Sequence, residues 1–169
     1  FVVLFLGFLI QLCIVYPVFM KMFCKVPVAI FFSAITEAMM VAFGTASSSA
    51  TLPLTMACCE KRGISHKVCS FVLPLGATLN MDATALFQTV AVIFLTQAYG
   101  VVLEPMQIVQ IAFFAIIASS TCAGIPGAGL ITIAIVLNGL GLTPEQLVEG
   151  FAFLFAVDRI IDMFRTMLN

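Results

Sequence analysis

The sequence predicts an all-α integral membrane protein, and three observations carry that expectation. Of its 169 residues, 63% are hydrophobic and 9% charged, with a mean hydropathy of +1.22, far from the average of soluble domains. Apolar stretches of helical length recur along the chain, and the first, Phe1 to Met20, carries no charge. The polar residues are gathered into a few short clusters that interrupt these stretches. The architecture implied is a core of two re-entrant helical hairpins and a broken transmembrane helix, arranged as an inverted repeat. Net charge is −1, which leaves no electrostatic footprint for a nucleic-acid partner. Seventeen Phe and no Trp fit contact with a lipid bilayer and leave Tyr16 and Tyr99 as the aromatic anchors. Six Cys lie in or beside apolar segments without a CxxC pair, so they read as buried thiols rather than metal ligands or disulfides.

Residues 1–24 form the first transmembrane helix. At about 1.5 Å per residue, Phe1 to Met20 crosses a hydrocarbon core of about 30 Å. Lys21 and Lys25 end it, Pro27 starts the next helix, and the positive-inside tendency makes this end cytoplasmic. Residues 25–64 form a re-entrant hairpin. A limb from Val28 to about Gly44 carries Glu37, then Thr45 to Thr51 and Pro53 make a serine-rich tip. Leu54 to Cys59 is too short to cross before the basic cluster Lys61, Arg62, His66 and Lys67, so the chain returns to the side it entered from. Two readings of the tip stay open: a cavity lining covered by protein or water, or a flexible solvent loop.

Residues 65–100 are too long for an ordinary span and are interrupted by Pro74, Gly76, Thr78, Asn80, Asp82 and Thr84. Asn80 and Asp82 would point about 200° apart on a regular helix, whereas an unwound stretch lets both side chains and the freed carbonyls converge. Asp82 in oxygen-rich company suits a hard monovalent cation; the competing reading is an ion pair with Arg165. Gln88 leaves this face without a proton-accepting carboxylate.

Residues 103–142 repeat the hairpin from the other side. No Lys or Arg occurs between Lys67 and Arg159, so Glu104 and Pro105 mark the outer surface. A limb from Met106 to Ala118 leads to the small-residue tip Ser119 to Gly129, then to an apolar limb reaching Leu140 and a turn at Gly141 to Pro144. The tip glycines either offer free amides to an anion or let helices pack closely; a soluble phosphate loop fails for want of GK[ST]. Residues 143–169 form the last helix, with Thr143 as its cap and Glu145 in its first turn.

That helix closes on a polar face. At about 100° per residue, Asp158, Asp162, Arg165, Thr166 and Asn169 fall within about 100° of arc, with Arg159 just beyond. Ile160, Ile161, Phe164 and Leu168 form the opposite, apolar face. Four charges facing lipid would cost on the order of 10 kcal/mol, so they face protein, water or a ligand. The plain alternative is an internal network pairing Asp158 with Arg165 and Asp162 with Arg159. Hairpin then interrupted helix, twice over from opposite sides, is the plan of carriers that bind substrate and ions at the bilayer midplane. No Ser/His/Asp constellation accompanies it, and the lone His66 sits in a basic connection, so no enzyme is expected. The chain opens in mid-hydrophobic sequence at Phe1 and ends at Asn169 inside a helical pattern, which suggests an internal piece of a longer chain.

The ordered set Ser47-Ser48-Ser49 with Thr51-Leu52-Pro53, Asn80-Met81-Asp82 with Thr84, Gly124-Ile125-Pro126-Gly127, and Asp158, Asp162, Arg165-Thr166 and Asn169 resembles the sodium-coupled glutamate/aspartate transporters, the dicarboxylate/amino acid:cation symporters. The resemblance spans the whole chain and implies the C-terminal transport core: helix 6, hairpin 1, helix 7, hairpin 2 and a truncated helix 8 of that family. The family's earlier helices, with their homotrimerisation scaffold, and a further sodium-binding Asp beyond Asn169 would then lie outside these residues. Also implied are symport of L-aspartate or L-glutamate with sodium at the plasma membrane, or the cytoplasmic membrane of a bacterium, with no cofactor besides the coupling ions. Arg165 would take the substrate's side-chain carboxylate and Asp162 its amino group. Thr166, Asn169, Thr84, Ser48, Ser49 and the backbone of Ile125 to Gly127 would hold the rest. Asn80 and Asp82, with carbonyls near Gly76, Thr78, Ser119, Ser120 and Cys122, would bind sodium, with Met81 between the two sites, while hairpin 2 gates the outer face. Ala83 replaces a usual Gly. Ala46 and Met163 stand where relatives often carry a second Arg, which Arg159 would replace, and Gln88 replaces the Glu of proton-coupled relatives. The other functions in play are a proton-coupled carrier, a neutral amino-acid exchanger, and an anion channel or purely structural bundle.

Overall fold

A computed structural model describes residues 1–24, 26–137 and 144–169, and the described residues are helical, turn or irregular, without a strand. Lys25, the turn expected at 141–143 and the Thr143 cap lie outside them. Val2–Phe23 is one continuous run of helix: α1 (Val2–Ile10), a π turn (Gln11–Val15) and α2 (Tyr16–Phe23). The π turn has a local cause. Pro17 has no N–H for the carbonyl four residues back and its ring crowds that carbonyl, so the preceding turn widens and the Tyr16 N–H bonds to Gln11 O instead. Leu4, Phe8, Gln11 and Met20 are buried along this helix, and the exposed remainder, rich in Val, Leu, Ile and Phe, suits lipid. Two of the thiols expected to be buried, Cys13 and Cys24, sit on that outward surface. All six Cys are free.

The first hairpin is α3 (Val28–Thr45) against α4 (Ser48–Lys61). Its tip is shorter than the serine run suggests. Ala46 takes a left-handed conformation at φ +50°, which ends α3. Ser47 then caps α4, its Oγ accepting the Ala50 N–H at 3.2 Å, so Ser48 to Thr51 are the first turn of a helix rather than a loop. The 14 residues of α4 rise about 21 Å, less than a bilayer core.

A tight connection, where His66 Nδ1 meets Glu60 Oε1 at 2.7 Å, leads to α5 (His66–Leu79). Helix then stops for Asn80 and Met81 and resumes as α6 (Asp82–Ala98), so the expected interruption is present and confined to those residues. α6 is the hub: α1, α7, α8 and α9 all pack against it, and Ala83, Phe87, Ala91, Val92 and Leu95 form a buried core with Leu4, Phe8, Ile111, Leu130, Ile133, Leu154 and Ile161. α7 (Pro105–Ser120) begins at Pro105, with the Gln107 side chain accepting the Glu104 N–H at 2.8 Å. It reaches Ser120, so Ser119 and Ser120 belong to the limb and the second tip is 121–127. α8 (Ala128–Leu137) and α9 (Pro144–Leu168) complete the described chain.

The two tips meet. Gly124 O accepts the Ser49 N–H at 3.0 Å and the Ser47 hydroxyl at 2.9 Å. Glycine eases that approach, since a Cβ on Gly124 would lie 2.9 Å from Ser49 Oγ and 3.2 Å from Ser49 N and would crowd the contact. Gly124→Ala is therefore expected to push the tips apart and lower stability by about 1–3 kcal/mol, an overpacking cost, measurable as earlier thermal unfolding in detergent; unchanged unfolding would contradict the tip-to-tip contact.

Candidate functional site

The last three turns of α9 build the centre of the site. Asp158, Asp162, Arg165 and Thr166 are all buried, at 4%, 4%, 2% and 8% exposure, and Asn169 is half-buried, so the polar face expected from the sequence is turned inward. Of the expected network, the Asp158–Arg165 pair forms, whereas Asp162 meets Arg165 rather than Arg159. Arg165 takes both carboxylates, Nη2 donating to Asp162 Oδ1 at 2.5 Å and Nη1 to Asp158 Oδ1 at 3.4 Å. Arg159 is exposed and belongs to none of the described ion pairs, because at about 100° from Asp158 it has rotated off the buried face. It does not stand in for a second buried arginine.

The guanidinium is flanked on two sides. Its Cζ lies 4.6 Å from the centre of the Phe87 ring, a cation–π contact. Gly129 of α8 comes so near that a Cβ there would fall 2.7 Å from Cζ and Nη1 and 2.8 Å from Nη2. Gln88, fully buried, donates to Gly129 O at 3.3 Å and to the Thr132 hydroxyl, and so holds that strip of backbone in place.

Asp162 ties α9 to the second tip as well, its Oδ2 accepting the Gly127 N–H at 2.8 Å. Between the tips and α9 lies a cavity of about 10 Å³, lined by Ser48, Met81, Thr84, Cys122, Gly124, Ile125, Asp162, Arg165, Thr166 and Asn169, among others. That is room for about one water. The residues named for a ligand thus converge, Ser49 through its amide on Gly124 and Gly127 through its amide on Asp162, but the tips are closed over them.

Asn169 links this cavity to the interruption before α6. Its Nδ2 donates to Thr84 Oγ1 at 2.8 Å and to Met81 Sδ at 3.3 Å, its Oδ1 accepts the Ala83 N–H at 2.9 Å, and its backbone O accepts from Asn80 Nδ2 at 3.2 Å. Asp82 is exposed and does not pair with Arg165, which removes that reading. Its Oδ2 instead accepts from the Tyr16 hydroxyl at 2.8 Å and from Gln11 Nε2. Tyr16, expected as an interfacial anchor, is thus half-buried against Asp82 and Leu168 O.

At Thr78, Ser119 and Ser120 the expected cation ligands are backbone carbonyls, and the side chains are used elsewhere. Thr78, Ser119 and Ser120 hydroxyls donate to carbonyls of their own helices, at 3.1, 2.9 and 2.8 Å. Gly76 O and Ser119 O each accept one N–H, from Asn80 and Cys122, and each keeps a second lone pair. Sequence reasoning passed over Phe87 and Gln11, and it gave Ser47, Gly129 and Tyr16 no part beyond the two tips and an interfacial anchor. Gln11 did carry a signal, as an amide inside an otherwise apolar span.

Asp162→Ala would leave Arg165 with the longer Asp158 contact and free the Gly127 amide. A buried ion pair broken on one side costs about 3–5 kcal/mol, so substrate-free unfolding in detergent is expected to occur markedly earlier; an unchanged transition would contradict the pairing.

Residues 1–169 match the sodium:dicarboxylate symporter family. The chain is 47% identical over 140 residues to excitatory amino acid transporter 2 of Homo sapiens, covering 82% of this chain and 24% of that protein. It is 44% identical over 141 residues to an excitatory amino acid transporter of Caenorhabditis elegans, 83% of this chain and 27% of that protein. It is 41% identical over 164 residues to excitatory amino acid transporter 1 of Homo sapiens, 96% of this chain and 30% of that protein. The chain therefore spans between about a quarter and a third of the length of these relatives. With its buried Arg165 and its helix interrupted at Asn80-Met81, the chain belongs to the sodium:dicarboxylate symporter family.

Proposed function

We propose that this chain is the transport core of a secondary carrier that moves L-aspartate or L-glutamate with sodium across the plasma membrane, without transforming it chemically. The observation that carries the reading is the Arg165 guanidinium, buried in the cavity wall beside Asp162. A planar two-pronged donor fits a side-chain carboxylate, and a neighbouring carboxylate fits the ammonium of the same amino acid. A neutral amino acid would leave the guanidinium facing no anion of the substrate, which disfavours an exchanger of neutral substrates.

Charge explains the sodium. The buried cluster holds two carboxylates against one guanidinium, and an acidic amino acid adds a further net negative charge. Cations bound nearby make that burial affordable in low dielectric. Asn80 and Asp82, with carbonyls near Gly76, Thr78 and Ser119 to Cys122, are the ligands in this reading, and Met81 lies between ion and substrate. Thr84, Thr166, Asn169, Ser48 and the 125–127 backbone hold the substrate's remaining polar groups. Gln88 carries no charge to titrate, which favours sodium alone over proton coupling.

A cavity the size of one water cannot admit an amino acid until the tips part. The 121–127 tip is the gate in this reading: a substrate ammonium competes with the Gly127 amide for Asp162 and frees the tip to re-close over the ligand. The hairpins at 25–64 and 103–142 are taken as re-entrant from opposite sides, with the broken helix at 65–100 and the last helix at 143–169 completing an inverted repeat around the midplane. The length of α4 supports this, since its 14 residues fall short of a bilayer core. Earlier helices of the full-length protein would supply the scaffold of a homotrimer.

Arg165→Ala is expected to weaken aspartate binding to the purified full-length protein by about 100-fold or more, the loss of two charge-assisted hydrogen bonds. Retained affinity would sink the carboxylate assignment. Asp82→Asn is expected to raise the sodium concentration needed for half-maximal binding, and an unchanged sodium response would remove Asp82 from the ion site.

A further inference from the structure

Gln11 and Tyr16 are five residues apart. On a regular α-helix they would point about 140° apart and could not share an acceptor. The π turn at Gln11–Val15 changes that, because its i→i+5 hydrogen bond, here Tyr16 N–H to Gln11 O, stacks residues five apart on one face. Both side chains consequently reach the same oxygen, Asp82 Oδ2, and Gln11 Nε2 also lies 3.1 Å from the Tyr16 hydroxyl. Gln11 is 9% exposed, in a helix whose other buried residues are apolar, and π turns of this kind recur at functional sites.

The Tyr16 hydroxyl has a choice of acceptor. It lies 2.8 Å from Asp82 Oδ2 and 3.0 Å from Leu168 O, one residue before Asn169, and it has one proton to give. Gln11 has a comparable choice, since turning its amide replaces Nε2 by Oε1, an acceptor that suits a cation.

We propose that Gln11 and Tyr16 are positioning residues that stand in for the cation at Asp82: they satisfy the carboxylate when no ion is bound and give way when one arrives. The proposal rests on Asp82 being an ion ligand. Asp82 is exposed at this junction, and the two donors compete there with water and with an arriving cation for its Oδ2. With them, the ion-free state is stabilised, cation affinity is tuned down, and release of the ion is eased. On ion binding both donors leave Asp82 Oδ2, one residue before Ala83, whose N–H meets Asn169 Oδ1.

The sign of the effect separates this role from a structural one. Damage to the site raises the sodium requirement, whereas removal of a competing donor lowers it. Tyr16→Phe and Gln11→Met keep shape and length while removing the donors. Substrate-free full-length protein in detergent would be titrated with sodium chloride at constant ionic strength with choline, reading the rise in thermal unfolding temperature, which reports cation binding directly. Each variant is expected to lower the half-saturating sodium concentration by about fivefold or more, the loss of a hydrogen bond to a charged group. The shift should vanish in an Asp82→Asn background, as the coupling of one pair requires. A half-saturating concentration that is unchanged or raised in both variants, or a shift that persists with Asn at position 82, would overturn the proposal and leave Asp82 as an ion ligand intact. Wild-type protein without any sodium response would overturn both.

Discussion

One guanidinium shared between two carboxylates, almost wholly buried, constrains everything around it. Arg165 with Asp158 and Asp162 is an arrangement that low dielectric punishes unless every charge keeps a partner. The surroundings meet that demand from several elements at once: the Phe87 face from α6, the close backbone of Gly129 from α8, and the Gly127 amide on Asp162 from the second tip. Each contact is also a constraint on sequence. A side chain at Gly129 would occupy the guanidinium's place, and a side chain at Gly124 would separate the tips that close the cavity.

The break before α6 is the second organising feature, and it is bound to the first through Asn169. That residue lies one turn beyond Arg165 and touches Thr84, Met81, Ala83 and Asn80. A shift at the unwound Asn80-Met81 peptide is therefore felt at the cavity lining without any long chain of intermediaries. In the transport reading this short bridge is the physical basis for linking cation and substrate occupancy, and linkage of this kind is necessarily reciprocal. The first helix enters the same junction through Gln11 and Tyr16, so three parts of the chain far apart in sequence meet around Asp82.

Much of this was legible in the sequence where one residue type at one spacing has few physical outcomes. The inward face of α9 followed from the cost of charge in lipid, and the break at Asn80-Met81 from two polar side chains that a regular helix would point apart. The serine run was harder. Ser, Thr and small residues are compatible with loop and with helix N-terminus alike, and the structure resolves them in favour of a capped helix start at Ser47 and a limb that continues through Ser120. The ion pairing of Arg165 with both Asp residues depended on how far α9 is rotated, which about 100° per residue alone leaves undetermined between neighbours such as Arg159 and Arg165. The contacts of Gln11 and Tyr16 were invisible to a helical wheel because the π turn, provoked by Pro17, resets the phase of the helix just where they sit.

The central claim is that occupancy of a cation site near Asp82 and occupancy of the Arg165 cavity are coupled. The most direct test is binding of L-aspartate to the purified full-length protein, titrated with sodium and repeated with potassium or choline in its place at fixed pH. Affinity that climbs steeply with sodium, and with neither substitute, is the expected result. Affinity indifferent to sodium would contradict the account and leave the buried charges as a structural network.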